Sequence, residues 1–578
     1  MLCKGLKALL RNFLGSQDAN SWMDPHGLLH LWRSGVLHER GAESGSMPQD
    51  SFCRKCLRGV YSCRWRSGSQ NKHRCSCCWF FFLALACLLK AGWIYVCWAA
   101  INDRDDVNWK AFSLLRFRWV NWFIVVVIMS SVLVSYSCLL LVFALFQVAL
   151  REPLNLHCTH KVLLLLAVLI IAAGVAGICL EWKEEWLTVF MSLQMTGPFL
   201  QIGGVVSVSL LGWFVFQRFF MARRAVSRVV ILLAYLVVGA AVFLSPLLIS
   251  SPCFLEKHNL PPKPALIGHR GAPTMSPENT MLSFRRSLEC DVKAFETDVI
   301  ISQNGIPFLM HDDKSLRRTT DVSEKFPGRV ENASHTFTWD ELKTLNAGDW
   351  FLKSDPFHTV SSLSEEDKVA IRNQTIPALT ELLDLAKQHK TSIIFDLKGD
   401  SDELNVTLRT VQAILDSNIP QEQVLWLPSR YRKLVKMKAP DFKHVYANKS
   451  LMEDDGGDQL NLKYSSLTPA EIRDLRRGNV SVNLYVVNES WLFSLLWCSG
   501  VTSVTTNTCR HFKNMTQPAW ILAPDTYTML WITVDSVFLL VILGLFLLQR
   551  RRFTRGTESE EHRNGYSVWN EQELDTFL

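Results

Sequence analysis

The sequence predicts a six-span α-helical membrane region joined to an α/β barrel of the (β/α)8 type. Three observations carry that prediction. Six apolar runs occupy about 79–101, 120–147, 162–180, 195–217, 229–251 and 529–548. Each is long enough, at about 1.5 Å per helical residue, to cross a hydrocarbon core about 30 Å thick. Between the fifth and sixth runs, short apolar segments alternate with helix-type patterns, as in a parallel sheet wrapped by helices. The alternating stretch, 265–510, is about 245 residues long, the size of one such barrel.

Charge sets the expected topology. The 578 residues carry a net charge of +7, but Lys and Arg do not spread as a nucleic-acid footprint would. Residues 1–78 hold 12 Lys/Arg against 5 Asp/Glu, and Arg218, Arg223, Arg224 and Arg228 fill one short loop. Both stretches are predicted to be cytoplasmic, as is the tail after Arg550-Arg551-Arg552. The acidic loop Glu181-Trp182-Lys183-Glu184-Glu185 is predicted to lie outside, although Arg116 and Arg118 beside the second run oppose this sense. The first apolar run begins only near Trp79, so no cleavable signal peptide is expected.

The resulting organisation is a cytoplasmic Cys-rich basic region (1–78), five transmembrane helices (79–251), an extracellular or lumenal domain (252–528), a sixth transmembrane helix (529–548) and a cytoplasmic tail (549–578). Such a protein sits in the plasma membrane or a secretory-pathway membrane. Glycosylation sequons agree: Asn332, Asn373, Asn405, Asn448, Asn479, Asn488 and Asn514 all fall in the segment placed outside.

Cysteines divide in the same way. Cys253, Cys290, Cys498 and Cys509 lie in the oxidising segment and can form disulfides, with connectivity open. Cys53-x-x-Cys56 has zinc-ligand spacing, whereas Cys75, Cys77 and Cys78 suit juxtamembrane palmitoylation. The Cys-rich N-terminus and the tail Glu558–Leu578 are the candidate contact points for cytoplasmic partners.

Within the barrel, strands are predicted at Ala265–Ile267, Phe295–Ile301, Ile306–Met310, Ser392–Leu397, Gln423–Leu427, Phe442–Tyr446, Val480–Val486 and Thr502–Thr505. Leu460–Tyr464 competes for the seventh place. Helices are predicted at Thr280–Glu289, Leu379–His389, Asp402–Ser417, Thr468–Arg477 and Ser490–Cys498. Residues 312–376 show little regular pattern beyond Thr338–Leu345 and read as an insertion.

Chemistry-bearing residues cluster at strand ends. His269 closes the run Ala265-Leu266-Ile267-Gly268, and His311 closes Pro307-Phe308-Leu309-Met310. Glu296 and Asp298 are two apart, so on a strand both carboxylates point to one face and can share a divalent cation. Asp396 and Lys398 repeat that spacing on the run Ser392–Leu397. Two imidazoles beside a carboxylate-bound cation are the minimum kit for cleaving a phosphodiester.

These motifs resemble the glycerophosphodiester phosphodiesterase family. The likeness covers about 265–510 and rests on an ordered set: His269-Arg270-Gly271, Glu278-Asn279-Thr280, Glu296-x-Asp298 and His311-Asp312. It implies a TIM barrel of the PLC-like phosphodiesterase type, with active residues at the C-terminal strand ends. It also implies one divalent cation, Ca²⁺ or Mg²⁺, held by Glu296, Asp298 and Asp396, with His311 as a further ligand. His269 and His311 would form the acid/base pair, Arg270 and Lys398 would bind the phosphoryl group, and Glu278 would support them.

Two departures stand out. The family usually has Glu-x-Lys where this chain has Asp396-Leu397-Lys398, and Thr-Asp where it has Thr506-Asn507. Trp426-Leu427-Pro428-Ser429 also differs from the usual Ser-Phe pair. The membrane-spanning subgroup implies an ecto-phosphodiesterase acting on glycerophosphodiesters, such as glycerophosphoinositol, or on glycosylphosphatidylinositol anchors. The alternative is a catalytically weakened receptor-like or scaffold protein that keeps the barrel as a binding module. A transporter reading has only Lys90 and Asp535 as intramembrane charges, which pair or snorkel.

Overall fold

The spanning helices form because their sequences are apolar on every face, leaving lipid as their only compatible solvent. In a computed structural model of the chain, the described residues are 59–62, 76–115, 119–149, 154–181, 186–398 and 403–574. Among them, six helices are long and apolar enough to cross a membrane. They are α1 (Ser76–Ala99), α3 (Trp122–Ala149), α4 (Cys158–Glu181), α5 (Trp186–Met221), α6 (Ala225–Phe243) and α7 (Pro524–Leu574). Between α1 and α3, a 3₁₀ turn at Ala100–Asp103 leads into the polar helix α2 (Arg104–Leu115). Large apolar side chains such as Leu88, Val237 and Leu540 stay exposed, as lipid-facing positions do.

Lys90 and Asp535 do not pair with each other. Lys90 donates to Ser137 on α3, while Asp535 accepts from Gln201 at 3.2 Å and Trp531 at 2.6 Å. Cys53, Cys56, Cys63, Cys75, Arg116, Arg118 and the loop 182–185 lie outside the described residues, as do the side chains of Cys77 and 557–578.

Helices and barrel belong to one unit. The sheet runs β6-β5-β4-β2-β1-β9-β8-β7, with β3 paired to β2 off that path. The strands are β1 (Ala265–His269), β2 (Ala294–Ile301), β3 (Pro307–Leu309), β4 (Ser392–Leu397), β5 (Val424–Trp426), β6 (Lys443–His444), β7 (Gln459–Lys463), β8 (Ser481–Tyr485) and β9 (Ser503–Thr506). A parallel bridge between Tyr446 and Leu460 joins the two ends of the order. Its bonds are Tyr446 N to Gln459 O at 2.9 Å and Asn461 N to Tyr446 O at 2.8 Å. Eight parallel strands therefore close into a barrel.

Two strand expectations change. The segment expected as the third barrel strand, Ile306–Met310, is antiparallel to β2, with Val299 opposite Leu309 and Ile301 opposite Pro307. The competitor at 460–464 is the missing barrel strand, β7. Local pattern could not separate them, because a hairpin strand and a barrel strand bury the same residue types. The predicted helices hold within one or two residues at each end: Met281–Leu288, Leu379–His389, Glu403–Asp416, Pro469–Arg477 and Ser490–Ser499.

All eight residues of β2 are buried, as expected of a parallel strand covered on both sides. Phe295 faces the main core with Phe284, Phe395 and Trp426, while Ala294 turns inward with Ile267 and Ile394. Trp426 therefore packs in the helix layer, whereas Leu427, just past the C-terminal end of β5, packs against the inward-facing cluster. The insertion folds over β3 with its own apolar cluster, including Phe308, Leu316, Phe337 and Leu342. Disulfides join Cys253 to Cys498 and Cys290 to Cys509.

Candidate active site

Register brings the site together. His269 at the end of β1 lies opposite Glu296, and Asp298 two residues on lies opposite Asp396 of β4. Because side chains alternate along a strand, Glu296 and Asp298 share the inward face that Asp396 also occupies. One oxygen from each of these three carboxylates lies within 4.8 Å of the other two. His311 is not part of this converging group; its Nδ1 sits 3.3 Å from Asp312 Oδ1. Its ring follows the antiparallel strand β3, which runs back along β2 so that Met310 N donates to Asp298 O at 3.0 Å.

Each short motif has a physical reason. Arg270 adopts φ 52° and Gly271 φ 91°, the left-handed turn that lifts the chain off β1. A Cβ on Gly271 would meet Ser283 Oγ at 2.5 Å, so the tight turn requires glycine. Glu278 binds Arg270 Nη1 at 3.1 Å and also Arg318. Asn279 donates to Asp298 at 3.0 Å and accepts from Thr297 at 3.0 Å, fixing the carboxylate's orientation. Thr280 caps the helix Met281–Leu288 by accepting from Ser283 N.

Charge is arranged around Asp298. Arg270 Nε lies 3.1 Å from its carboxylate and Lys398 Nζ 3.4 Å away, while Lys398 also binds Asp396 at 2.7 Å. Burial opposes ionisation of Asp298, but Arg270, with His311 and Lys398, outweighs it and holds the carboxyl below the usual range. Glu296 differs: burial and then the neighbouring Asp298 push it up to about 8. Burial, reinforced by Arg270, lowers His269 to about 3. Both shifts favour the neutral forms of the two groups, whose closest approach is His269 Nε2 to Glu296 at 3.9 Å.

Three further participants emerge: Asn507, visible in the sequence only as a departure from the family pattern, and two that had no clear signal there. Asn507 Oδ1 accepts from His269 Nδ1 at 2.6 Å. With that nitrogen protonated, Nε2 keeps the lone pair and faces the site. The family's aspartate at this position would accept the same bond, so the departure is chemically mild. Arg318 of the insertion donates to Asp312 at 2.7 Å and to Glu278 at 3.2 Å. Asp312 is thereby held below the usual carboxylate range, against its burial. The third is the membrane-derived segment 102–109, which lines the same cavity.

Six of the seven sequon asparagines are exposed. Asn488 is half-buried at the cavity wall, where its Oδ1 accepts from Asn507 N at 2.9 Å and its Nδ2 reaches Asn102 O at 3.4 Å. A glycan on that nitrogen is incompatible with this packing.

Residues 269–511 match the profile of the Glycerophosphoryl diester phosphodiesterase family. The human protein named Glycerophosphoinositol inositolphosphodiesterase GDPD2 is 42% identical over 86% of this chain and 93% of its own length. Human Glycerophosphodiester phosphodiesterase domain-containing protein 5 is 41% identical over 87% of this chain and 84% of its own. A solved Oleispira antarctica phosphodiesterase in complex with the product sn-glycerol-3-phosphate is 24% identical and aligns with a TM-score of 0.36, covering 43% of this chain and 95% of that one. The chain belongs to the glycerophosphoryl diester phosphodiesterase family, and it is an enzyme of that class carried on a multi-pass membrane region.

Proposed function

We propose that this enzyme is a metal-dependent ecto-phosphodiesterase that cleaves glycerophosphodiesters to a phosphate monoester and an alcohol. The carrying observation is the convergence of Glu296, Asp298 and Asp396 within 4.8 Å. Three acids at that spacing, one of them pushed up to about 8, form an oxygen-rich site suited to one hard divalent cation, Ca²⁺ or Mg²⁺. When bound, that ion supplies Lewis-acid polarisation of a phosphoryl oxygen. This convergence also weighs against the weakened-scaffold reading, since the shorter Asp396 still reaches the group.

The remaining steps belong to the chain's own side chains. Arg270 and Lys398 neutralise the phosphoryl oxygens. His269, neutral and with Nε2 unprotonated, takes the proton of the attacking hydroxyl, either water or a substrate hydroxyl. A new P–O bond forms as the P–O bond to the alcohol breaks. His311, paired with Asp312, gives its proton to the departing oxygen. Glycerophosphoinositol is the first substrate to test, because a relative similar over nearly its full length is named for it; glycosylphosphatidylinositol anchors are the second.

Purified full-length protein should release glycerol or inositol phosphate from glycerophosphoinositol. Chelator should stop turnover, and added Ca²⁺ or Mg²⁺ should restore it. Undiminished turnover in chelator would reject the metal role.

Orientation rests on the loop charges, the six exposed sequons and the four paired cysteines. The barrel is extracytoplasmic on this reading, with both termini in the cytoplasm. Peptide N-glycosidase should increase the gel mobility of cell-derived protein, with no contribution from Asn488. A band that does not move would place the barrel on the other side.

A further inference from the structure

The polar helix that follows the first span lies across the mouth of the barrel. A cavity lined by His269, Arg270 and Glu278 on one side is walled by Asp103, Asp105 and Trp109 on the other. The segment is firmly held there. Asn102 donates to Val486 O at 2.9 Å and accepts from Asn488 N at 2.8 Å. Tyr464, just past β7, donates to Asp103. The Arg318 guanidinium sits 4.3 Å over the Trp109 ring while bonding Glu278 and Asp312. These anchors lie at the C-terminal strand ends, where barrel enzymes recognise substrate.

Asp105 has no such engagement. Its side chain is only 17% exposed, and its nearest cation, Arg104 Nε, is 3.9 Å away, beyond hydrogen-bond reach. Among the described residues nothing donates to it. A half-buried carboxyl on a cavity wall, with acceptor sites that no protein donor fills, is free to accept from a ligand hydroxyl. It lines the same cavity as Arg270, so one ligand can meet Asp105 through a hydroxyl while its phosphate meets Arg270.

We propose that Asp105 is a specificity-determining residue, supplied by the membrane region, which accepts hydroxyls from the polyhydroxylated alcohol esterified to the substrate phosphate. This deepens the proposed function and rests on the reading of Arg270 and the carboxylate trio as the phosphodiester site. It follows that the barrel alone presents an incomplete site: spanning helices and catalytic domain are one functional unit.

The test uses the full-length protein in detergent with a divalent cation present. Calorimetry measures the affinity of glycerol 3-phosphate, inositol 1-phosphate and inorganic phosphate, while turnover of glycerophosphoinositol is followed in parallel. Asp105→Ala should weaken at least one polyol phosphate about tenfold or more and shift inorganic phosphate by less than about twofold. Asp105→Asn, equal in size and still an acceptor, should lose less and controls for folding. A parallel loss of all three ligands, or no loss of any, overturns the assignment of Asp105. A wild type that binds the polyol phosphates but turns nothing over rejects the catalytic reading instead.

Discussion

Replacing His269 by alanine should lower kcat by about 10²–10⁴-fold, the usual worth of a positioned acid/base group. Expression and membrane insertion should not change, because the ring packs at the rim rather than in the core. The size of the effect follows from how completely the ring is prepared. Burial and Arg270 keep it neutral at physiological pH, and Asn507 fixes the tautomer that leaves Nε2 free. No other described imidazole is placed to take over, since His311 is tied to Asp312. Asn507→Ala should cost less, about tenfold, through kcat rather than KM, because it frees the ring to turn without removing it. Asn507→Asp should preserve activity, as a carboxylate also accepts from Nδ1–H. Single-turnover kinetics on the three variants would check this order, and a His269→Ala enzyme with near-normal kcat would remove the ring from the mechanism.

The second large effect is expected at Asp298. Asp298→Asn should abolish turnover, with a loss of at least about 10²-fold, and weaken cation binding by a similar factor. This side chain is the electrostatic centre of the site. It joins Arg270, Lys398 and Asn279 in one buried network and is held ionised by its cationic neighbours. Removing its charge leaves two buried cations facing each other with less compensation, which is costly in a site shielded from water. Calorimetric titration of Ca²⁺ and Mg²⁺ into wild type and variant reads the metal role directly. Tight cation binding by Asp298→Asn would mean that Glu296 and Asp396 suffice.

Much of this site is local and therefore readable in the chain. Glu296 and Asp298 share a face because a strand repeats every two residues. His269-Arg270-Gly271 reads as a turn because Gly271 must take φ 91°. Glu278-Asn279-Thr280 divides into a partner for arginines, an orienter of Asp298 and a helix cap, all within a few residues of the turn. The spanning helices were legible for a cruder reason: runs of twenty or so apolar residues have few other stable homes in water.

Other features depended on contacts between distant parts of the chain. Ile306–Met310 is apolar throughout and Leu460–Tyr464 alternates apolar with polar residues, and only pairing partners reveal the first as a hairpin strand and the second as part of the barrel. Arg318 lies in a stretch without periodicity, yet closure of the insertion carries it to Glu278 and Asp312. Asn507 is 238 residues from the histidine it orients.

By itself, then, the sequence determined the six spans, the alternating α/β character of the barrel and the shared face of Glu296 and Asp298, each from periodicity or composition over a short window. Asp396 joined those two acids through the family resemblance. Tertiary structure alone decided which strand closes the barrel, how the four cysteines pair and which distant residue orients His269. It also brought Asp105 and Trp109, from the loop between two membrane helices, to the catalytic mouth. Such meetings are fixed by the closure of a whole barrel and its docking on the membrane helices, and no short window of sequence contains both partners.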